Sequence, residues 1–167
     1  KIDISSYTLP ATIAEAYTEK NGGYVFKIST SGYAGGFVIM CGIDAEGTVT
    51  GTAVIASNET LGVEDTYGEM LKGQNATTID SVATVSGATK TTNAYKNAVK
   101  DSLNAFTILN GGTVDLRDEA QILADNLSAA LPSAEGKFTN KFITAELTDI
   151  TAVYAADNGT GYVFVLT

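Results

Sequence analysis

Four of the seven residues in the stretch Ser86-Gly87-Ala88-Thr89-Lys90-Thr91-Thr92 carry hydroxyls. Directly after it, Tyr95, Ala98, Val99, Leu103 and Phe106 recur at helical spacing, with Asn93, Lys96, Asn97, Lys100 and Asp101 between them. A hydroxyl-rich turn therefore feeds into an amphipathic helix. The first turn of a helix offers free backbone N–H groups and the positive end of its dipole, which suit an anion such as phosphate. Gly87 and Ala88 keep bulk away from the backbone there. The competing reading is an ordinary helix cap, a role Ser and Thr fill without any ligand.

Elements that could position this turn are legible on either side. Residues 12–18 and 24–30 read as a hairpin around Asn21-Gly22-Gly23. A glycine-rich connection, Ser31-Gly32-Tyr33-Ala34-Gly35-Gly36, leads to an apolar strand over 37–43. The turn Asp44-Ala45-Glu46-Gly47 returns the chain as a strand over 48–56. Residues 58–65 read as a loop leading to Tyr67, Met70 and Leu71, residues 74–80 as a polar excursion, and 81–85 as a short β-like approach. A second helix is predicted to begin near Asp115, with Leu116, Ala120, Leu123, Leu127 and Leu131 on one face and Pro132 as its stop. Residues 138–147 read as extended. The fold class is α+β: an antiparallel β-meander packed against helices over 92–107 and 116–131.

The end of the chain echoes its beginning. Ile150 to Tyr154, then Asn158-Gly159-Thr160-Gly161-Tyr162-Val163-Phe164, follows the order of Ile13 to Tyr17, then Asn21-Gly22-Gly23-Tyr24-Val25-Phe26, with one residue inserted in the second turn. This reads as a tandem array holding one unit and the first hairpin of the next. The domain division expected is 11–110, then 111–167 as a helix plus hairpin.

Composition excludes several classes. The chain has 167 residues, a net charge of −9 and a pI near 4.3, which disfavours nucleic acid and anionic membrane surfaces as partners. With no histidine and one cysteine, neither a Cys/His zinc site nor a histidine-based triad is available. Cys41 reads as a buried strand residue. No apolar run reaches the roughly 18 residues a transmembrane helix needs. Residues 1–5 lack a leader's apolar core, so any such leader is expected to have been removed. Abundant Thr, Ser, Ala and Gly lean towards an extracytoplasmic, bacterial cell-surface location.

Ser86-Gly87-Ala88-Thr89, with Thr91 and Thr92 beyond, resembles the flavinylation motif of the FMN-binding domain family. That family includes the G subunit of Rnf complexes and the C subunit of the sodium-pumping NADH:quinone oxidoreductase. The resemblance extends over residues 12–106, through Gly32-Tyr33-Ala34-Gly35-Gly36, Ile43-Asp44-Ala45-Glu46-Gly47 and Glu59-Thr60-Leu61-Gly62-Val63-Glu64. It implies FMN as cofactor, esterified through its phosphate to Thr89 by a flavin transferase. Ser86, Gly87, Ala88, Thr91 and Thr92 would surround the phosphate, and Glu59, Thr60, Leu61 and Gly62 would face the ring. Tyr33 and Tyr67 are chemically suited to stacking, though each reads more simply as a half-buried packing residue. Lys90 reads as solvated.

Departures from the family pattern are Ala83, where an acidic residue is usual, with Asp80 further upstream, and Leu61 and Glu64 in place of Pro and Gly. Glu64 would add negative charge beside the flavin and lower its potential. The resemblance implies an electron carrier serving redox partner proteins, with no catalytic residue and no metal. Threonine needs a base to act as a nucleophile, and the chain has no histidine, so the transferase would supply it. A structural surface repeat that keeps the fold without the cofactor is the alternative, and a flavoenzyme with loosely bound FMN a third.

Overall fold

The computed structural model describes residues 1–141 and 149–166. The chain divides into two compact units, 1–115 and 116–167.

The first unit is built on a four-stranded antiparallel meander: β1 (Ile13–Thr18), β2 (Tyr24–Ser31), β3 (Gly36–Ile43) and β4 (Val49–Ser57), paired in chain order. Gly22 closes the β1–β2 turn at φ +89° and Gly47 the β3–β4 turn at φ +82°, backbone that an L side chain rarely adopts. Asp44 Oδ1 accepts the N–H groups of Glu46 and Thr48, at 3.1 and 2.8 Å, and shapes the second turn. One face of the sheet is apolar throughout, with Phe26, Ile28, Phe37, Ile39, Cys41, Ile43 and Val49 buried. Burial pushes the Cys41 thiol up to about 12, so it stays protonated and inert in the core.

Helix α1 (Glu64–Leu71) packs on β4 and on α2 (Thr89–Leu109), which crosses β2 and β3. The α2 side chains Tyr95, Ala98, Val99 and Leu103 are buried as their spacing predicts, and Phe106 packs at the margin of the core. Helix α1 occupies the stretch expected to lead from a loop. Its buried stripe is Glu64, Tyr67, Gly68 and Leu71, so a carboxylate and a glycine interrupt the apolar pattern. Gly68 is obligatory, because a Cβ there would meet Thr52 Oγ1 at 2.0 Å. Residues 82–85 are not a strand. They follow a 3-10 turn (Ile79–Ser81) whose Ile79 is buried. The segment is held by side chains instead: Tyr67 donates to the Ala83 carbonyl at 3.0 Å and Lys96 to that of Val82 at 3.0 Å. Ile2, Ile4 and Leu9 also pack on this core, and the Ile2 N–H donates to the Ala16 carbonyl at 2.9 Å.

The second unit holds α3 (Glu119–Ala130) and a three-stranded antiparallel sheet, β5 (Phe138–Lys141), β6 (Ile150–Ala156) and β7 (Tyr162–Leu166). Helix α3 thus belongs with the terminal hairpin and not with the meander. It starts three residues later than Asp115 suggests. Asp118 is the cap, accepting the Gln121 N–H at 2.7 Å, while Gln121 accepts the Asp118 N–H at 3.0 Å. The carboxamide at the third helical position completes this reciprocal box. Of the predicted apolar face only Leu127 is buried, and Leu123 is exposed. The extended reading of 138–147 holds over β5; 142–147 lie outside the described residues.

Candidate functional site

Helix α2 begins without a side-chain cap. Its N-cap residue is Ala88, at φ −124° and ψ 27°, which has no acceptor to offer. Ser and Thr therefore do not perform the capping role that ordinarily explains them, and the N–H groups of the first turn stay available. Gly87 precedes the helix at φ +81°, and a Cβ there would meet nothing within 4 Å. Glycine is needed for its backbone and not for space. Gly87→Ala is expected to cost about 1 kcal/mol, read as a lowered unfolding midpoint with the sheet otherwise intact.

The three threonines behind Gly87 have different surroundings. Thr92 is fully buried. Its Oγ1 donates to the Ala88 carbonyl at 3.1 Å and accepts the Val85 N–H at 3.3 Å, tying the turn to the helix. Thr91 is buried too, and its hydroxyl donates to Glu59 Oε2. Thr89 is exposed, and its hydroxyl has no hydrogen-bond partner among the described residues.

Thr89 borders a cavity of about 450 Å³, a size within the range of small-molecule sites. Residues 87–91 form one wall, and Tyr33 with residues 59–61 the other. Most of the residues singled out in the sequence are thus brought together; Ser86, Gly62 and Thr92 are not among the lining. Tyr33 is 73% exposed, so it is not a packing residue, and Leu61 is 66% exposed. These two present apolar surface at the cavity. Lys90 is not simply solvated: its Nζ stands 5.7 Å from the centre of the Tyr33 ring. Tyr67, the other stacking candidate, lies in the core at 1% exposure and does not reach the cavity.

Glu59 has a role its sequence position does not reveal. Its carboxylate accepts the N–H groups of Tyr33, Ala34 and Gly35, at 3.2, 3.1 and 3.1 Å, as well as the Thr91 hydroxyl. It therefore clasps the glycine-rich loop to the start of α2 and holds Tyr33 over the cavity. A Cβ at Gly32 would come within 2.7 Å of Glu59 Oε1, so any side chain there would have to push the Glu59 carboxylate from its place. Desolvation works to raise the Glu59 carboxyl, but the hydrogen bonds from Thr91, Gly35, Tyr33 and Ala34 outweigh it and hold the group below the usual carboxylate range. A carboxylate depressed in the folded state adds stability above its unfolded value, near 4.3, and that stability is lost as pH falls through the folded value. Glu59→Gln should therefore be less stable than wild type at pH 6, with the difference shrinking below about pH 4, as read by unfolding midpoints across that range.

Glu64 does not add charge to the cavity. In the first turn of α1 it is 3% exposed, and its Oε1 accepts from Ser57 Oγ at 2.7 Å. It faces a separate polar pocket with Thr52 and Tyr95. Ala83 is exposed, and Asp80 is paired with Lys100 at 2.7 Å. Among the described residues, no group of three or more His, Cys, Asp or Glu could hold a metal ion, and no helix is long and apolar enough to cross a membrane.

Residues 32–104 match the sequence model of the FMN-binding domain family. This span runs from the glycine-rich loop through the cavity and along α2 to within its last two turns. The G subunit of the Na(+)-translocating ferredoxin:NAD(+) oxidoreductase complex of Acetobacterium woodii is 34% identical, the match covering 48% of this chain and 42% of that relative. The chain thus spans about two fifths of the length of that relative. With its cavity formed by the residues of the matched span, the chain carries a domain of the FMN-binding domain family, resembling the G subunit of that complex.

Proposed function

We propose that this domain is an electron carrier whose FMN is attached through its phosphate to Thr89. The observation that carries the reading is the free, exposed Thr89 hydroxyl at the uncapped start of α2, on the rim of the 450 Å³ cavity. The first-turn N–H groups and Lys90 suit the phosphodiester monoanion there. Tyr33 and Leu61 suit the faces of an isoalloxazine ring. FMN supplies reversible electron uptake when bound. The chain's own residues position it: Glu59 fixes the loop that carries Tyr33, and Thr92 fixes the turn that presents Thr89.

The partners in this reading are a flavin transferase, which makes the ester, and redox proteins, which load and unload electrons. The relative belongs to an oxidoreductase complex, and electron relay within such a system is the role that fits. The location that fits this acidic carrier, rich in Thr, Ser, Ala and Gly, is outside the cytoplasm, on the bacterial cell surface. Co-expression with a flavin transferase tests the reading. Flavin fluorescence that stays with the denatured chain supports it; fluorescence released on denaturation would favour loosely bound FMN instead.

A further inference from the structure

The hairpin β6–β7 reproduces β1–β2 in register. Five residue pairs correspond in order, from Ile13↔Ile28 and Ile150↔Leu166, through Ala16↔Phe26 and Val153↔Phe164, to Thr18↔Tyr24 and Ala155↔Tyr162. Both hairpins carry a register shift at the same place, one residue after the first pair. Both turns close with the same backbone bonds: Glu19 N–H to the Gly23 carbonyl and Ala156 N–H to that of Gly161, at 2.8 and 2.9 Å. Shared turn chemistry alone does not place a bulge at an equivalent position.

Their surroundings differ. Phe26 and Ile28 are fully buried, because β3 pairs along the outer edge of β2 and α2 lies across its face. The equivalent Phe164 and Leu166 are 54% and 65% exposed, and Tyr162 is 63% exposed. Among the described residues no strand pairs with the outer edge of β7. An apolar strand edge of this kind is a site for strand addition.

We propose that β7 is the docking edge of a second FMN-binding-type fold. The occupant is an apolar strand plus an amphipathic helix, of the kind that β3 and α2 supply in the first unit. The strand pairs with β7, and the helix covers Tyr162, Phe164 and Leu166. This inference rests on the hairpin geometry and not on flavin attachment.

Amide exchange on an extended chain tests it. The extended chain is made by joining a second copy of residues 30–115 after position 167, which follows Leu166 as Ser29 follows Ile28. The amides of β7 should exchange at least about tenfold more slowly in the extended chain. Phe164→Asp should abolish that slowing, yet leave exchange in the unextended chain unchanged, since the side chain is over half exposed there. Equal β7 exchange with and without the extension would overturn the proposal. So would β7 protection that rises with the concentration of the unextended chain, because the face would then serve a second copy.

Discussion

Thr89→Ala is expected to carry no flavin after co-expression with a flavin transferase, whereas Thr91→Ala is still modified, more slowly. The two threonines are two residues apart, and their environments separate them. Thr91 is buried and commits its hydroxyl to Glu59. The Thr89 hydroxyl is exposed and free, beside first-turn N–H groups that no side chain caps. Loss of Thr91 removes one of the four donors that hold Glu59, so the loop bearing Tyr33 loosens without removing the attachment point. No flavin should be attached without the transferase. Glu59, the one carboxylate lining the cavity among the described residues, is occupied by hydrogen bonds and held below the usual carboxylate range, which makes it a poor base for a threonine proton. In-gel flavin fluorescence of the variants reads these outcomes. Equal fluorescence of Thr89→Ala and wild type would move the site elsewhere.

The largest expected loss of stability is at Tyr95. Its ring is 1% exposed, stacked on Phe37 and edge-on to Tyr67, each with centroids 5.8 Å apart, and its hydroxyl donates to Thr52 Oγ1 at 2.8 Å. It joins α2, α1, β3 and β4 at one point. Tyr95→Ala should cost about 3–5 kcal/mol, the range for deleting a buried ring. Tyr95→Phe should cost about 1 kcal/mol, for the lost hydrogen bond. Because α2 carries Thr89, the alanine variant should also be poorly flavinylated while the phenylalanine variant is not. Urea unfolding gives both values. A cost below about 1 kcal/mol for Tyr95→Ala would contradict the packing described here.

What was legible in the sequence depended on which atoms make the contact. The meander and α2 are written in apolar side chains, so 37–43 could be read as an apolar strand and Tyr95, Val99 and Leu103 as one helical face, while the alternation that buries Phe37, Ile39 and Cys41 is masked by the apolar Val38 and Met40 between them. Helix α1 could not, because its buried stripe includes Glu64 and Gly68, and Gly68 is dictated by Thr52, a residue from another element. The 82–85 segment is held by Tyr67 and Lys96 through its own carbonyls, and backbone acceptors leave no mark on residue type. At the site, the Ser86–Thr92 motif could be read as the hydroxyl-rich turn that opens α2, with Thr89 singled out by the family resemblance, but residue types alone did not show that the Thr91 and Thr92 hydroxyls are engaged. That followed from Thr92 turning inward and from Glu59 reaching back 24 to 26 residues to the glycine-rich loop. The same long reach explains why Glu59 reads as a ring contact in sequence and acts as a clasp in the fold.

Intact mass of the wild-type chain, co-expressed with a flavin transferase and denatured before measurement, tests the attachment most directly. The expected result is a gain of one FMN less one water, found by peptide mapping on the fragment that contains Thr89. An unmodified wild-type chain, alongside an Ala83→Asp variant that gains the mass, would contradict it. That outcome would make this unit a structural repeat that keeps the fold but lacks the acidic residue through which the transferase recognises its substrate.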